Sequence, residues 1–209
     1  MTGQTLTRRE KQQRTRRCLL HAAAQVFSKE GLEGASVEQV AQTAGYTKGA
    51  FYANFKSKEE LFLVMLDERF AHELERLDRM LAGTHEPLEE AQAAAADFIR
   101  FASEENWPRL YFQFVAHAAR DEEFRQELAT RMGAMRGRLA ELFKRWIERL
   151  NEIAPIPQEQ IAAMMCFMAD GFLVDRMIEP GLDETLYSTM VVVFMRGLGA
   201  MAEEAAGGS

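Results

Sequence analysis

SVEQVAQTAGYTKGAFYANF, residues 36–55, decides how this chain is read. Ser36 stands three residues before Gln39, the spacing of a capping box that opens a helix. Val37, Val40, Ala41 and Ala44 then recur at helical spacing and line one face. Gly45 breaks that helix, and a second short helix is expected over about residues 47–55. Two short helices joined by a three- to four-residue turn with a glycine form the helix-turn-helix plan, whose second helix enters the DNA major groove. Val37, Val40, Ala41 and Phe51 are expected to pack together onto Leu20, Ala24 and Phe27 of a preceding helix. Lys48 and Tyr52 are four residues apart and share the opposite face, so Thr47, Lys48, Gly49 and Tyr52 are left to meet a partner.

The charge around this stretch points to a polyanion. Residues 1–58 hold ten Lys/Arg against four acids, a formal +6, while residues 59–209 hold fifteen against twenty-eight, a formal −13. A basic head on an acidic body fits a protein that meets nucleic acid at one end, and excludes a uniformly basic coat. A solvated basic helix with no partner is the plainer alternative. The chain has 209 residues, 47% hydrophobic and 27% charged, which excludes a disordered chain and a small scaffold that needs staples. Cys18 and Cys166 have no CxxC partner, so neither a disulfide framework nor a structural zinc site is expected. No run of about 18 uncharged apolar residues occurs, so no membrane span is expected, and the basic N-terminus lacks a signal-peptide core. The expected compartment is the cytoplasm.

Helical periodicity continues along the chain, and no segment alternates like a strand. Thr7 and Glu10 open a first helix carrying Leu19, Ala22, Ala23, Val26 and Phe27, which Gly31 is expected to end. Ser57 and Glu60 open a long fourth helix with the stripe Leu61, Phe62, Met65, Leu66, Leu74, Leu77 and Leu81. Further helices are expected over about 87–105, 108–120, 121–150, 158–178 and 183–202, with a frayed tail at 206–209. The fold class is all-α: a three-helix DNA-binding domain, 1–58, then a helical bundle, 59–205, with about nine helices in all.

At this point the run AAAQVFSKEGLEGASVEQVAQTAGYTKGAFYANFKSKEELF, residues 22–62, resembles the tetracycline-repressor (TetR) family of bacterial transcription regulators. The small-Gly turn, the aromatic pair late in the third helix and the following F-x-S-K-E-x-L carry the likeness. One departure is Asn54, where the family usually has His. The resemblance implies a phosphate contact at Ser36, aided by its helix dipole. It implies base reading by Thr47, Lys48 and Gly49, and backbone or groove-edge contacts by Tyr46 and Tyr52. It further implies phosphate contacts at Asn54 and Lys58. Arg14 and Arg17, with an arm at residues 8–11, would track phosphates or enter the minor groove; the arm also reads as simply disordered. Ser36 caps its helix with or without DNA.

In the family the remaining, acidic part binds a small effector and dimerises. Nine of twelve methionines lie beyond residue 120, and aromatic residues cluster around 98–114. Both suit an adaptable apolar pocket, though such stripes also make ordinary core. The residues assigned to a pocket are Phe101, Trp107, Tyr111, Phe114, His117, Met135, Met164, Met168, Phe172 and Arg176. The last two helices are apolar on more than one face and need cover. Ile161, Met165, Phe172, Met190, Val193, Phe194 and Gly197 are assigned to pairing with a second copy, which would present two recognition helices to a pseudo-palindromic operator.

Three function classes compete. A ligand-controlled repressor accounts for the basic head, the acidic bundle and the reading face together. An enzyme lacks support: no nucleophile elbow, HExxH, phosphate loop or dinucleotide fingerprint occurs. The four histidines show no metal spacing, so neither metal nor cofactor is expected. A helical protein-interaction module would not need the basic, tyrosine-bearing face of residues 46–58.

Overall fold

The computed structural model describes residues 7–83, 86–103, 107–150 and 154–207. Among them nine helices form: α1 (Arg8–Gly34), α2 (Val37–Thr43), α3 (Lys48–Tyr52), α4 (Lys58–Met80), α5 (Pro87–Ala102), α6 (Trp107–Ala118), α7 (Glu122–Arg149), α8 (Gln158–Ile178) and α9 (Thr185–Gly207). No strand occurs among the described residues.

Local chemistry sets most of the helix starts. Both sides of the Thr7–Glu10 and Ser36–Gln39 capping boxes are made. The Thr47 hydroxyl accepts from the Ala50 N–H at 3.2 Å, and the Asp121 carboxylate accepts from Phe124 at 2.9 Å. Ser57 accepts from Glu60 at 3.2 Å. Each bond satisfies a donor that the first helical turn leaves open.

Four expectations change. Gly31 does not end α1: it kinks it at φ +72°, and the helix resumes to Gly34. The arm at residues 8–11 is the exposed first turn of α1. α9 runs to Gly207, so the expected tail is helical at 206–207, and 208–209 lie outside the described residues, as does the expected end of α5 near 105. One helix, over Thr185–Ala205, is long and apolar enough to cross a membrane by length and composition, although Arg196 interrupts its apolar run.

The chain divides into two compact units, Met1–Glu68 with Glu105–Arg125, and Arg69–Glu104 with Gln126–Ser209. In the first, α1 packs on α2 and α6, and α2 packs on α3. Its core is Leu19, Ala23, Phe27, Val40, Phe51, Phe55, Leu61, Phe62 and Phe114. Phe114 stacks on Phe62 at 3.4 Å between ring centres and meets Phe27 edge-on at 5.8 Å. In the second unit, α9 packs along α5 and α8 around Ile99, Ile161, Phe172, Leu173, Tyr187 and Val191. The buried Glu90 carboxylate is satisfied there by Trp146 Nε1 at 3.0 Å and Arg149 at 2.7 Å.

Candidate functional site

The α2–turn–α3 unit forms as its sequence dictates. Gly45 takes φ +76° in the turn, a conformation that penalises any side chain. The Tyr46 N–H returns to the Ala41 carbonyl at 2.8 Å and closes the turn. Phe51 is wholly buried while Tyr52 is 51% exposed, so α3 presents its polar face outward. Thr47, Lys48 and Gly49 are all exposed. A Cβ at Gly49 would meet only the Thr47 hydroxyl, at 3.7 Å, so packing does not require glycine there. Its bareness leaves room for a groove wall to approach.

Electrostatics on this face are not uniformly positive. Lys48 pairs with Glu38 of α2, and its ammonium lies 5.9 Å from the Tyr52 ring centre. That hydrogen bond lowers the Glu38 carboxyl and raises the Lys48 amine from their ordinary pKa values. Arg14 and Arg17 are exposed and line an open groove of about 430 Å³ with Cys18, His21, Ala22, Gln25, Thr43 and Ala44.

Two residues assigned to phosphate are otherwise engaged. Lys58 donates to the Leu32 and Ala35 carbonyls at 2.7 and 3.2 Å, closing the open end of α1. The Asn54 amide, just past the end of α3, donates back to the Ala50 carbonyl at 2.8 Å. Arg16, which the sequence reading passed over, donates to the Asn54 carbonyl at 3.1 Å and covers the Phe55 ring at 4.4 Å.

The ten residues assigned to a pocket fall in both units. Trp107, Tyr111, Phe114 and His117 belong to the first unit, where Trp107 stacks on Phe62 and His117 lies against Phe124. Phe101, Met135, Met164, Met168, Phe172 and Arg176 belong to the second. Met164 is 42% exposed, and Arg176 pairs with Glu184. Of the pairing residues, Ile161 and Phe172 are buried within their own bundle, so they are corrected from partner contacts to core. Met165, Met190 and Phe194 are half-buried, while Val193 and Gly197 are exposed. The large apolar side chains exposed on α8 and α9 are Met164, Phe167, Met177, Ile178, Leu186, Val193 and Met201.

The second unit carries a titratable cluster that sequence reading missed. Burial raises Glu73 of α4 to about 7, against the opposing pull of Arg69 and Arg76. Burial likewise raises Asp170 of α8 to about 6, despite Arg136 of α7. The Cys166 thiol is pushed up to about 12 by burial and by Asp170, and the Tyr187 hydroxyl of α9 is raised by burial and by Glu73, Cys166 and Asp170. One signal was available: Asp170 is a lone acid within the apolar run 161–174.

Comparison with known proteins agrees with this architecture. Residues 19–65 match the family model described as bacterial regulatory proteins, tetR family, and residues 87–197 match the BetI-type transcriptional repressor C-terminal model. The chain is 27% identical over 175 residues to the HTH-type transcriptional regulator AcrR of Shigella flexneri, covering 80% of each chain. A TetR-family regulator structure from Mesorhizobium loti shares the fold at TM-score 0.74 and 19% identity, covering 93% of this chain and 98% of that one. SmeT, described as the repressor of the Stenotrophomonas maltophilia efflux pump SmeDEF, superposes at TM-score 0.61 and 24% identity, covering 88% and 89%.

Proposed function

Since the chain belongs to the tetR family of bacterial regulatory proteins, we propose that it is a cytoplasmic repressor that binds a pseudo-palindromic operator as a homodimer and leaves it when a small, largely apolar effector occupies the bundle. The observation that carries the reading is the two-sided α3: Phe51 is fully buried while Thr47, Lys48, Gly49 and Tyr52 face outward. A helix built this way offers hydrogen-bond donors to base edges from a fixed platform, and lysine suits the guanine O6 and N7 acceptors. Arg14 and Arg17 supply exposed positive charge on the same unit.

Pairing is supported by α8 and α9, which leave Phe167 and Val193 each 65% exposed. Side chains of that kind are expected under a second copy. Release by effector requires only that the ligand bind better to a state whose two α3 helices are wrongly spaced. The domain division 1–58 and 59–205 is kept as the functional one: DNA reading in the first, effector binding and pairing in the second. The role proposed is regulation rather than catalysis, in line with the regulators the chain matches.

The test is DNA binding by anisotropy, using a duplex selected from random sequence. Lys48→Ala should weaken binding about tenfold, the size expected for one base-reading side chain. Tyr52→Phe should weaken it less, and wild-type affinity should fall steeply between low and moderate salt. Undiminished affinity in both variants overturns the assignment.

A further inference from the structure

Within residues 36–55, which form α2, the turn and α3, only two side chains carry a full charge, Glu38 and Lys48. Glu38 lies in the first turn of α2 and Lys48 opens α3, and the two pair with each other. Their side chains stay 57% and 52% exposed, so the pair lies on the surface, on the same face as Tyr52. Their hydrogen bond lowers the carboxyl and raises the amine, so both stay ionised at neutral pH. The positive charge of the head therefore comes from α1 and from Lys56 and Lys58, while the reading unit itself is formally neutral.

A carboxylate on a face that meets DNA needs a reason. Capping of α2 does not supply one: Ser36 and Gln39 satisfy each other's backbone N–H groups at 2.8 and 3.2 Å without it. An exposed acid in a first turn gains at most about 1 kcal/mol from the helix dipole. Against a phosphate backbone the same charge is a cost. What a carboxylate can accept from in a major groove is an exocyclic amine, and cytosine N4 is its usual partner. Lys48 has the matching preference, for guanine O6 and N7. Within one G·C pair that O6 and that N4–H are hydrogen-bonded to each other, so they stand about 3 Å apart. The Lys48 ammonium and the Glu38 carboxylate are hydrogen-bonded too, and so present a donor and an acceptor at a similar spacing.

We propose that Glu38 is a specificity-determining residue, and that the Glu38–Lys48 pair reads one G·C base pair of the operator as a unit. Lys48 donates to the guanine O6 and N7 edge, and Glu38 accepts from cytosine N4. The proposal rests on the regulator reading above and adds to it a second base-reading side chain, from α2, and a direction. Direction follows from the order of the two charges. When the base pair is turned to C·G, the cytosine amine faces the lysine and the guanine oxygen faces the carboxylate, so like meets like at both ends. Lysine alone is a point charge on a flexible stem and follows the guanine to either strand. Its pairing with Glu38 removes that freedom. An A·T pair is matched less well, because thymine offers O4 without a second acceptor and carries a methyl group beside it.

The test begins with duplexes selected from random DNA by the full wild-type chain and by Lys48→Ala; the G·C pair whose enrichment the variant loses marks the position read. Anisotropy titrations then use the selected duplex, the same duplex with that one pair turned to C·G, and a duplex of unrelated sequence. The wild-type chain should bind the selected duplex at least about tenfold tighter than the turned one. In Glu38→Ala, with circular dichroism checking the fold, that ratio should fall below about twofold. Glu38→Gln keeps the side chain's shape and loses its charge; it should lower the ratio by at least about threefold, and carries the test if the alanine variant does not fold. An unchanged ratio overturns the proposal, as does a Glu38 variant that weakens binding to the selected and turned duplexes equally. A variant that strengthens binding to all three duplexes alike also overturns it, because the acid then only offsets charge. So does a selected site with no G·C pair that depends on Lys48. In each of these cases the chain still binds a selected duplex and the regulator reading stands, whereas a wild-type chain that selects no duplex loses both.

Discussion

At the scale of single residues, the same side-chain type serves different ends according to what its neighbours leave open. Lys48 and Lys58 both lie in the basic head, but Lys58 spends its charge on the Leu32 and Ala35 carbonyls. Lys58→Met should therefore lower stability by about 1–2 kcal/mol, read as a reduced urea midpoint, while changing DNA affinity far less than Lys48→Ala. Its role was hidden in the sequence because the carbonyls it meets lie 26 and 23 residues earlier. Glu73 shows the opposite case, a charge that the fold tolerates poorly. Its native value near 7 exceeds the ordinary 4.5, so the folded chain holds a proton that the unfolded chain has given up. This group's contribution to stability then falls as pH rises from about 4.5 to about 7 and levels off above. Glu73→Gln should flatten the pH dependence of Tm in that window and raise Tm at pH 8.

At the scale of elements, helix starts were legible and convergences were not. Thr7, Ser36, Thr47, Ser57 and Asp121 each bond within three residues, so sequence spacing alone placed them. The Glu73, Asp170 and Tyr187 centre draws on separate helices, and no local pattern joins them. The kink in α1 lies between these cases. Gly31 signalled a positive φ, but its consequence depends on α6, where the Gln113 side chain accepts from the Leu32 N–H at 2.8 Å. A Cβ at Gly31 would stand 2.9 Å from that same Gln113 oxygen. Gly31→Ala should cost of order 1–3 kcal/mol for its backbone conformation, with further loss from the displaced amide. In the Gln113→Ala background the same change should cost less, and a double-mutant cycle by urea unfolding would measure the coupling. Additive costs would mean that the kink and the amide act independently.

At the scale of the whole molecule, the exposed apolar side chains of α8 and α9 are the proposed pairing surface. Phe167→Asp with Val193→Glu should give a folded monomer by light scattering, with operator affinity lost because a single α3 reads half a site. Dimers persisting in that variant would place the pairing surface elsewhere. Family and fold were readable from residues 22–62, but which apolar side chains of α8 and α9 face outward was not: both helices are apolar on several sides, and only packing turned Ile161 and Phe172 inward. The Lys48–Glu38 pair has a last consequence, in the search along a chromosome. Most DNA that a regulator visits is the wrong sequence, and a free lysine would adhere to any stretch of it. A carboxylate beside that lysine offsets its charge and so loosens its hold on any passing phosphate. With Lys48 in the proposed reading role, stops on wrong sequence should shorten and the search should quicken.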